Sequence, residues 1–174
     1  MRGMDCRPSV QLITTQLVDT VVEEAQQSAR LRKNYNFHSG AQDNPQRLLN
    51  VLLHGSYVRP HRHLSPPKTE AFLVLDGHAA VFVFDDSGKV ASCHILGQTP
   101  FHGPVPSSVA DRTAAVGIDL CPGLWHSIAA LSPVAVCYEV KPGPYDPASD
   151  KDFAHWAPEE GSPEAAHYLA ALLA

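Results

Sequence analysis

Gly55-Ser-Tyr-Val-Arg-Pro-His-Arg-His-Leu-Ser-Pro-Pro-Lys-Thr-Glu-Ala-Phe-Leu-Val-Leu-Asp-Gly77 decides how the rest of the chain reads. In an extended strand alternate side chains share a face, so Tyr57, Arg59, His61 and His63 project to one side and Val58, Pro60 and Arg62 to the other. Two imidazoles therefore stand side by side. A turn through Ser65, Pro66 and Pro67 follows, and Glu70 opens the apolar run Ala71 to Leu75, which stops at Asp76-Gly77, a two-residue hairpin signal. The hairpin returns a carboxylate to the histidines on an adjacent strand. Two neutral nitrogens and one hard oxygen are three corners of a site for a first-row transition metal. An isolated His-x-His is more often part of a solvated strand, but a fourth donor lies far along the chain. Val116 to Leu120 reads as a strand, Cys121-Pro122-Gly123 as a tight turn, and Leu124-Trp125-His126 as the start of the next strand.

Composition narrows the classes. A chain of 174 residues with 44% hydrophobic and 18% charged residues has the size and balance of one globular domain with a sizeable core. The net charge is -5, and the thirteen Lys and Arg are scattered apart from Arg30, Arg32 and Lys33, so nucleic acid is not an expected partner. Arg2, Asp5, Arg7 and Gln11 interrupt any signal-like run, and no stretch approaches the ~18 apolar residues of a membrane span, which makes the cytoplasm the expected compartment. Four cysteines lie far apart with no Cys-x-x-Cys pair, as reduced thiols do.

Leu17, Val18, Val21, Val22, Ala25 and Ala29 recur at helical spacing, which predicts a packing helix from Thr15 to Arg32 closed by Arg30, Arg32 and Lys33. Asn34-Tyr-Asn-Phe-His38 then alternates, with Asn34, Asn36 and His38 on one face and Tyr35 and Phe37 on the other; alternation alone does not say which face is inside. Arg47 to Leu53 is a buried strand broken by Asn50. Ala79 to Phe84 and Lys89 to Leu96 flank a turn at Asp85 to Gly88, and the succession of short strands reads as a meander closed into an antiparallel barrel or jelly roll. Residues 97–115 are expected to form an exposed flexible loop in which His102 is solvated. Val134 to Lys141 is a strand with Glu139 and Lys141 on one face, open between a barrel interior and a surface ion pair. After a proline-rich irregular segment, Ser162 caps a terminal helix with Pro163 at its first position.

Gly55, five residues, His61-x-His63, a spacer, Glu70, six residues and Gly77 resemble the first signature of the cupin superfamily, and Gly117 to His126 resembles the second. Within cupins the chain is most similar to the WbuC-type metalloproteins. The resembling pieces are Asn34-Tyr-Asn-Phe-His38, Arg47-Leu-Leu-Asn50, Tyr57 to His63, Phe84-Asp-Asp-Ser-Gly88, Trp125-His126, Tyr138-Glu-Val-Lys-Pro-Gly-Pro-Tyr145, Asp150-Lys-Asp-Phe-Ala154 and Trp156-Ala-Pro-Glu-Glu160. The six-residue gap before Glu70 exceeds the usual cupin gap but matches the WbuC type, and the Asn that often ends the second signature is absent.

The resemblance implies a mainly β, single-domain cupin-like barrel over 34–145, an N-terminal helical segment over 1–33 packed on it, and an irregular segment and helix over 146–174. It also implies one divalent transition metal, drawn from Zn, Fe, Ni, Mn and Cu, on His61, His63, Glu70 and His126, and it turns Asn36 and His38 toward the pocket; Asn50 is a candidate substrate contact or a structural amide, and Lys141 is a candidate substrate contact if its charged face is the inner one. Tyr57, Arg59 and Glu139 are the candidate catalytic groups: Arg59 for an anionic substrate, with a barrel-rim salt bridge as the alternative, and Tyr57 or Glu139 for proton transfer. WbuC-type proteins are associated with surface-polysaccharide gene clusters. The expected function is therefore an isomerase or epimerase acting on an anionic sugar or sugar nucleotide, with a metal-dependent dioxygenase and a non-catalytic binding module as alternatives. The expected partners are a small anionic molecule and a second copy of the chain, and the Ala and Leu face of the terminal helix is open between an intramolecular and a dimer contact.

Overall fold

The computed structural model describes residues 8–109 and 115–174. Two helices and ten strands follow in the order α1 (Thr15–Gln26), β1 (Arg32–Asn36), β2 (Gln46–Leu53), β3 (His61–Arg62), β4 (Glu70–Asp76), β5 (His78–Phe84), β6 (Val90–Gly97), β7 (Gly117–Leu120), β8 (Trp125–Ala130), β9 (Val134–Lys141), β10 (Asp152–Phe153) and α2 (Pro163–Leu173). The strands form two five-stranded antiparallel sheets, β1-β2-β9-β4-β7 and β10-β3-β8-β5-β6, packed face to face as a cupin-like jelly roll.

Helix α1 starts where expected, with the Thr14 hydroxyl accepting from Leu17 N–H at 3.1 Å, but it ends at Gln26. The chain turns over 27–31, and Arg32 instead pairs with Leu52 across β1 and β2. Five residues of sheet pairing outweigh another turn of helix, so the basic residues lie beyond its end. Val21 and Ala25 bury against Leu49, Val51 and Val136 on the outer face of the first sheet. Helix α2 covers the outer face of the second sheet, with Leu169 over Phe82, Phe84 and Ala129. Ser162 occupies the N-cap position, but its hydroxyl has no hydrogen-bond partner among the described residues.

Asp76-Gly77 is a corner, not a hairpin: β4 and β5 belong to different sheets, so the expected meander is corrected to a crossing from one sheet to the other. Gly77 has φ +72°, and a side chain there would run into the Val134 carbonyl and the Ser132 hydroxyl. The turn at Cys121 to Gly123 makes the same kind of crossing between β7 and β8. A hairpin does form between β5 and β6, where Asp85 accepts from the N–H groups of Ser87 and Lys89. In the long segment after β6, residues 110–114 of the expected loop lie outside the described residues. His102 is exposed and Pro106 is buried.

Inward positions change character along the strands. Leu52 on β2, Val74 on β4, Ala130 and Ile128 on β8, and Ala135 and Cys137 on β9 pack into one apolar cluster between the sheets. The same faces continue to Asn50, Glu70, His126, Glu139 and Lys141, which line a cavity at the other end.

Candidate metal centre

His61 and His126 are cross-strand partners on β3 and β8. His63 follows one residue after β3, and Glu70 is the first residue of β4 in the opposite sheet. The carboxylate thus reaches the histidines across the barrel rather than from a neighbouring strand. All four side chains are buried, and their ligand atoms lie within 4.8 Å of one another.

The backbone fixes the rings. Nδ1 of His61 faces the Arg59 carbonyl at 2.9 Å, Nδ1 of His126 faces the Leu124 carbonyl at 2.9 Å, and Nδ1 of His63 faces the Asp150 carbonyl. A carbonyl only accepts, so each Nδ1 carries a proton and each ring turns its Nε2 inward. Burial, then the charge of Lys151, pushes the His61 pKa well below the ordinary histidine value. The Nε2 atoms of His61 and His63 are buried without a hydrogen-bond partner among the described residues. His126 Nε2 approaches Glu70 Oε2 at 2.8 Å and His63 Nε2 approaches the same oxygen at 3.4 Å. Burial pushes the Glu70 pKa up, but the His126 and His63 rings and Lys141 outweigh it and hold Glu70 well below the carboxylate range. An Nε2 atom and an ionised oxygen this close share either a proton, as a hydrogen bond, or a bound cation. Three imidazole nitrogens and one carboxylate oxygen fit a divalent first-row metal.

A buried charge network backs the centre. Lys141 Nζ lies 3.7 Å from Glu70, 3.6 Å from Glu139 and 3.2 Å from Asp150. Asn50 Nδ2 donates to Glu139 at 2.9 Å. Asp150 is also bound by Lys68 at 2.8 Å, while its carbonyl orients His63. Burial, then the charge of Glu70, pushes the Glu139 pKa up to about 7. Burial alone lowers the pKa of Lys141, but Glu139, Glu70 and Asp150 raise it overall and keep it an ammonium.

The centre lies on the wall of a cavity of about 470 Å³, within the ~300–1,000 Å³ of small-molecule sites. Asn36, His38, Asn50, Glu139 and Lys141 all line it. His38 is held there through Nδ1 by the Arg47 backbone. Tyr57 and Arg59 do not, and their expected place beside the ligands is corrected. Tyr57 packs with Tyr168 beneath α2 and donates to the Pro158 carbonyl at 2.9 Å; burial, then Tyr168, raises its pKa. Arg59 binds the Ala154 carbonyl at 2.9 Å, reaches Glu159 at 3.7 Å and covers the Phe153 ring. It has taken the rim salt-bridge alternative. Lys68, Asp150 and Lys151 were missed as site residues because they stand in irregular segments; the only signal was that Asp150-Lys-Asp-Phe-Ala154 is among the resembling pieces.

Residues 13–96, just under half the chain, match the model of a domain of unknown function (DUF6016). No curated protein matches the chain. The structure is similar to the capsular polysaccharide assembling protein CapF from Staphylococcus aureus, with TM-score 0.53 and 19% identity over 72% of this chain and 32% of CapF. The chain thus spans about a third of that protein. It is also similar to protein SO0799 from Shewanella oneidensis, with TM-score 0.54 and 10% identity over 78% of this chain and 82% of SO0799. At these identities the likeness establishes the fold. No described helix is long and apolar enough to cross a membrane.

Proposed function

We propose that the protein is a metal-dependent cupin of the isomerase or epimerase kind, acting on a small anionic sugar or sugar nucleotide. The observation that carries this reading is the convergence of His61, His63, Glu70 and His126 on one buried point beside an open cavity. A divalent ion there supplies a Lewis acid that polarises a carbonyl or hydroxyl oxygen. Glu139, near neutrality, takes a proton from carbon beside a carbonyl at its Oε atoms and returns it, while Asn50 and Lys141 hold the carboxyl in place. Asn36 and His38 on the cavity wall orient substrate hydroxyls. The WbuC-type resemblance and the likeness to the capsular polysaccharide assembling protein CapF both support surface-polysaccharide metabolism as the setting, and the cytoplasm is the compartment proposed for it.

Elemental analysis of the purified chain tests the reading: one divalent ion per chain is expected, falling to none in His61→Ala with its circular dichroism retained. Full metal content in that variant overturns it. Zinc without oxygen uptake supports isomerase chemistry; iron with oxygen uptake supports the dioxygenase. The displacement of Tyr57 and Arg59 from the cavity favours one second reading, a binding module in which the metal anchors a ligand without turnover, since only Glu139 remains of the three catalytic candidates. We also propose a homodimer, supported by the neighbouring exposed Leu73 and Val116 at the β4 and β7 edge; light scattering at the monomer mass overturns it.

A further inference from the structure

Five cationic side chains, Arg30, Arg32, Lys33, Lys141 and Lys151, and three carboxylates, Glu70, Glu139 and Asp150, line the cavity. Most of the cations are matched. Arg32 binds Glu160 at 2.5 Å, Lys33 binds Glu24 at 3.0 Å, and Lys141 lies among the three carboxylates. Lys151 is different, because its ammonium makes neither a hydrogen bond nor an ion pair with any described residue. Burial pushes its pKa down against the pull of Glu70, Glu139 and Asp150, and its charge is the strongest that the His61 ring feels. A half-buried ammonium with carboxylates nearby but none in direct contact is incompletely compensated.

The chain holds Lys151 in place. Asp150, immediately before it, is clamped by Lys68 and Lys141. Strand β10, immediately after it, pairs with β3 through Asp152 with Arg62 and Phe153 with His61. Arg30 stands exposed on the same cavity wall, with its backbone held by Ser28 and Ser56 and its guanidinium without a described partner.

We propose that Lys151 is the anion-recognition residue of the cavity, binding the phosphate or carboxylate of a small ligand that also reaches the four-ligand centre, with Arg30 closing on the same oxyanion from the rim. This rests on the reading of the cavity as a site for a small anionic molecule. A cavity of about 470 Å³ accommodates one such ligand. A neutral sugar of the same size leaves the ammonium unpaired, and a site built to pair a charge discriminates strongly against a ligand that lacks it.

Calorimetric titration of the full chain with glucose 6-phosphate, glucuronate and glucose tests the proposal, in wild type, Lys151→Met and Arg30→Gln. Wild type is expected to bind at least one of the two anionic sugars about tenfold or more tighter than glucose, and which one it prefers separates phosphate from carboxylate. Lys151→Met keeps the aliphatic stem and, compared at equal metal loading, is expected to lose about tenfold or more for the anionic sugar and much less for glucose; Arg30→Gln is expected to lose about two- to fivefold for the anionic sugar. Equal binding of all three sugars by wild type, or wild-type affinity in Lys151→Met, overturns the proposal. If Lys151→Met does not fold, acetylation of wild-type Lys151, followed by peptide mass spectrometry, gives the answer: protection by the preferred anionic sugar supports the site, and equal modification with and without it overturns it. Titrating metal-loaded and metal-stripped protein in parallel separates the two readings. A chain that takes up no metal but binds the anion through Lys151 sinks the metal enzyme alone, and a metal-loaded chain indifferent to Lys151 sinks the anion site alone.

Discussion

The two ends of the barrel interior are built from the same strands and do opposite things. On β9 the inward face runs Ala135, Cys137, Glu139, Lys141; on β4 it runs Val74, Phe72, Glu70; on β8 it runs Ala130, Ile128, His126. One end is a dry apolar cluster that holds the sheets together. The other gathers ligands and charges that do not favour burial, and its order comes from backbone carbonyls and from Asp150 between two lysines. The first end stabilises the fold and the second draws on that stability, so changes at the two ends are expected to separate stability from metal binding.

The largest expected effect is at the polar end. His126→Ala removes one of four donors, and bound metal should drop from one ion per chain to none by elemental analysis. Wild type is expected to gain about 4 kcal/mol of unfolding free energy at a thousandfold excess of metal over its Kd, a gain the variant lacks. Next comes the apolar end, where Leu52 is wholly buried between the sheets. Leu52→Ala is expected to cost about 2–5 kcal/mol in urea unfolding with metal content unchanged. Metal loss in Leu52→Ala would show that the two ends are one cooperative unit.

How much of this contrast is legible in the sequence follows from what each signal encodes. His61, His63, Glu70 and His126 are readable because strand alternation and spacing carry them. Asp76-Gly77 is a turn signal that serves a hairpin and an inter-sheet corner equally, so local chemistry does not reveal that β4 and β5 separate. Tyr57 and Arg59 fail for another reason. Val58 packs inside and Tyr57 outside, yet the next inward ligand is His61, three residues on; the two-residue alternation slips around Pro60, ahead of the two-residue strand β3. Lys68 and Asp150 reach the centre through long-range ion pairs made from irregular segments, and Lys151 enters the cavity beside Asp150; periodicity encodes neither.

A smaller effect tests the charge balance of the polar end in metal-stripped protein. The Glu139 carboxyl, facing Glu70, Lys141 and Asn50, has its pKa raised to about 7 by burial and then by Glu70. A carboxyl raised on folding contributes stability that is fully present below the ordinary carboxylate range and is lost as pH rises through the folded value. The stability of wild type relative to Glu139→Gln should therefore fall between pH 5 and pH 8 in urea titrations. A flat difference would mean that Lys141 and Asn50 compensate the buried charge in full.

The smallest effect lies where the two ends meet. Cys137 is wholly buried, opposite Asn50 on β2 and two residues from Glu139 along its own strand, and burial, then the charge of Glu139, pushes its thiol up to about 12. A thiol needs both its thiolate form and access to react, so Cys137 should stay unmodified by a disulfide reagent at pH 8 while exposed Cys121 reacts in full. Its packing role is equally modest, because Cys137→Ala removes one sulfur from a site already closed by Leu52, Val74 and Ala135, a loss of about 1 kcal/mol. If Cys137 reacts at a rate near that of Cys121, then water and reagent reach past Glu139, and the boundary between the dry end and the polar end lies deeper than Cys137.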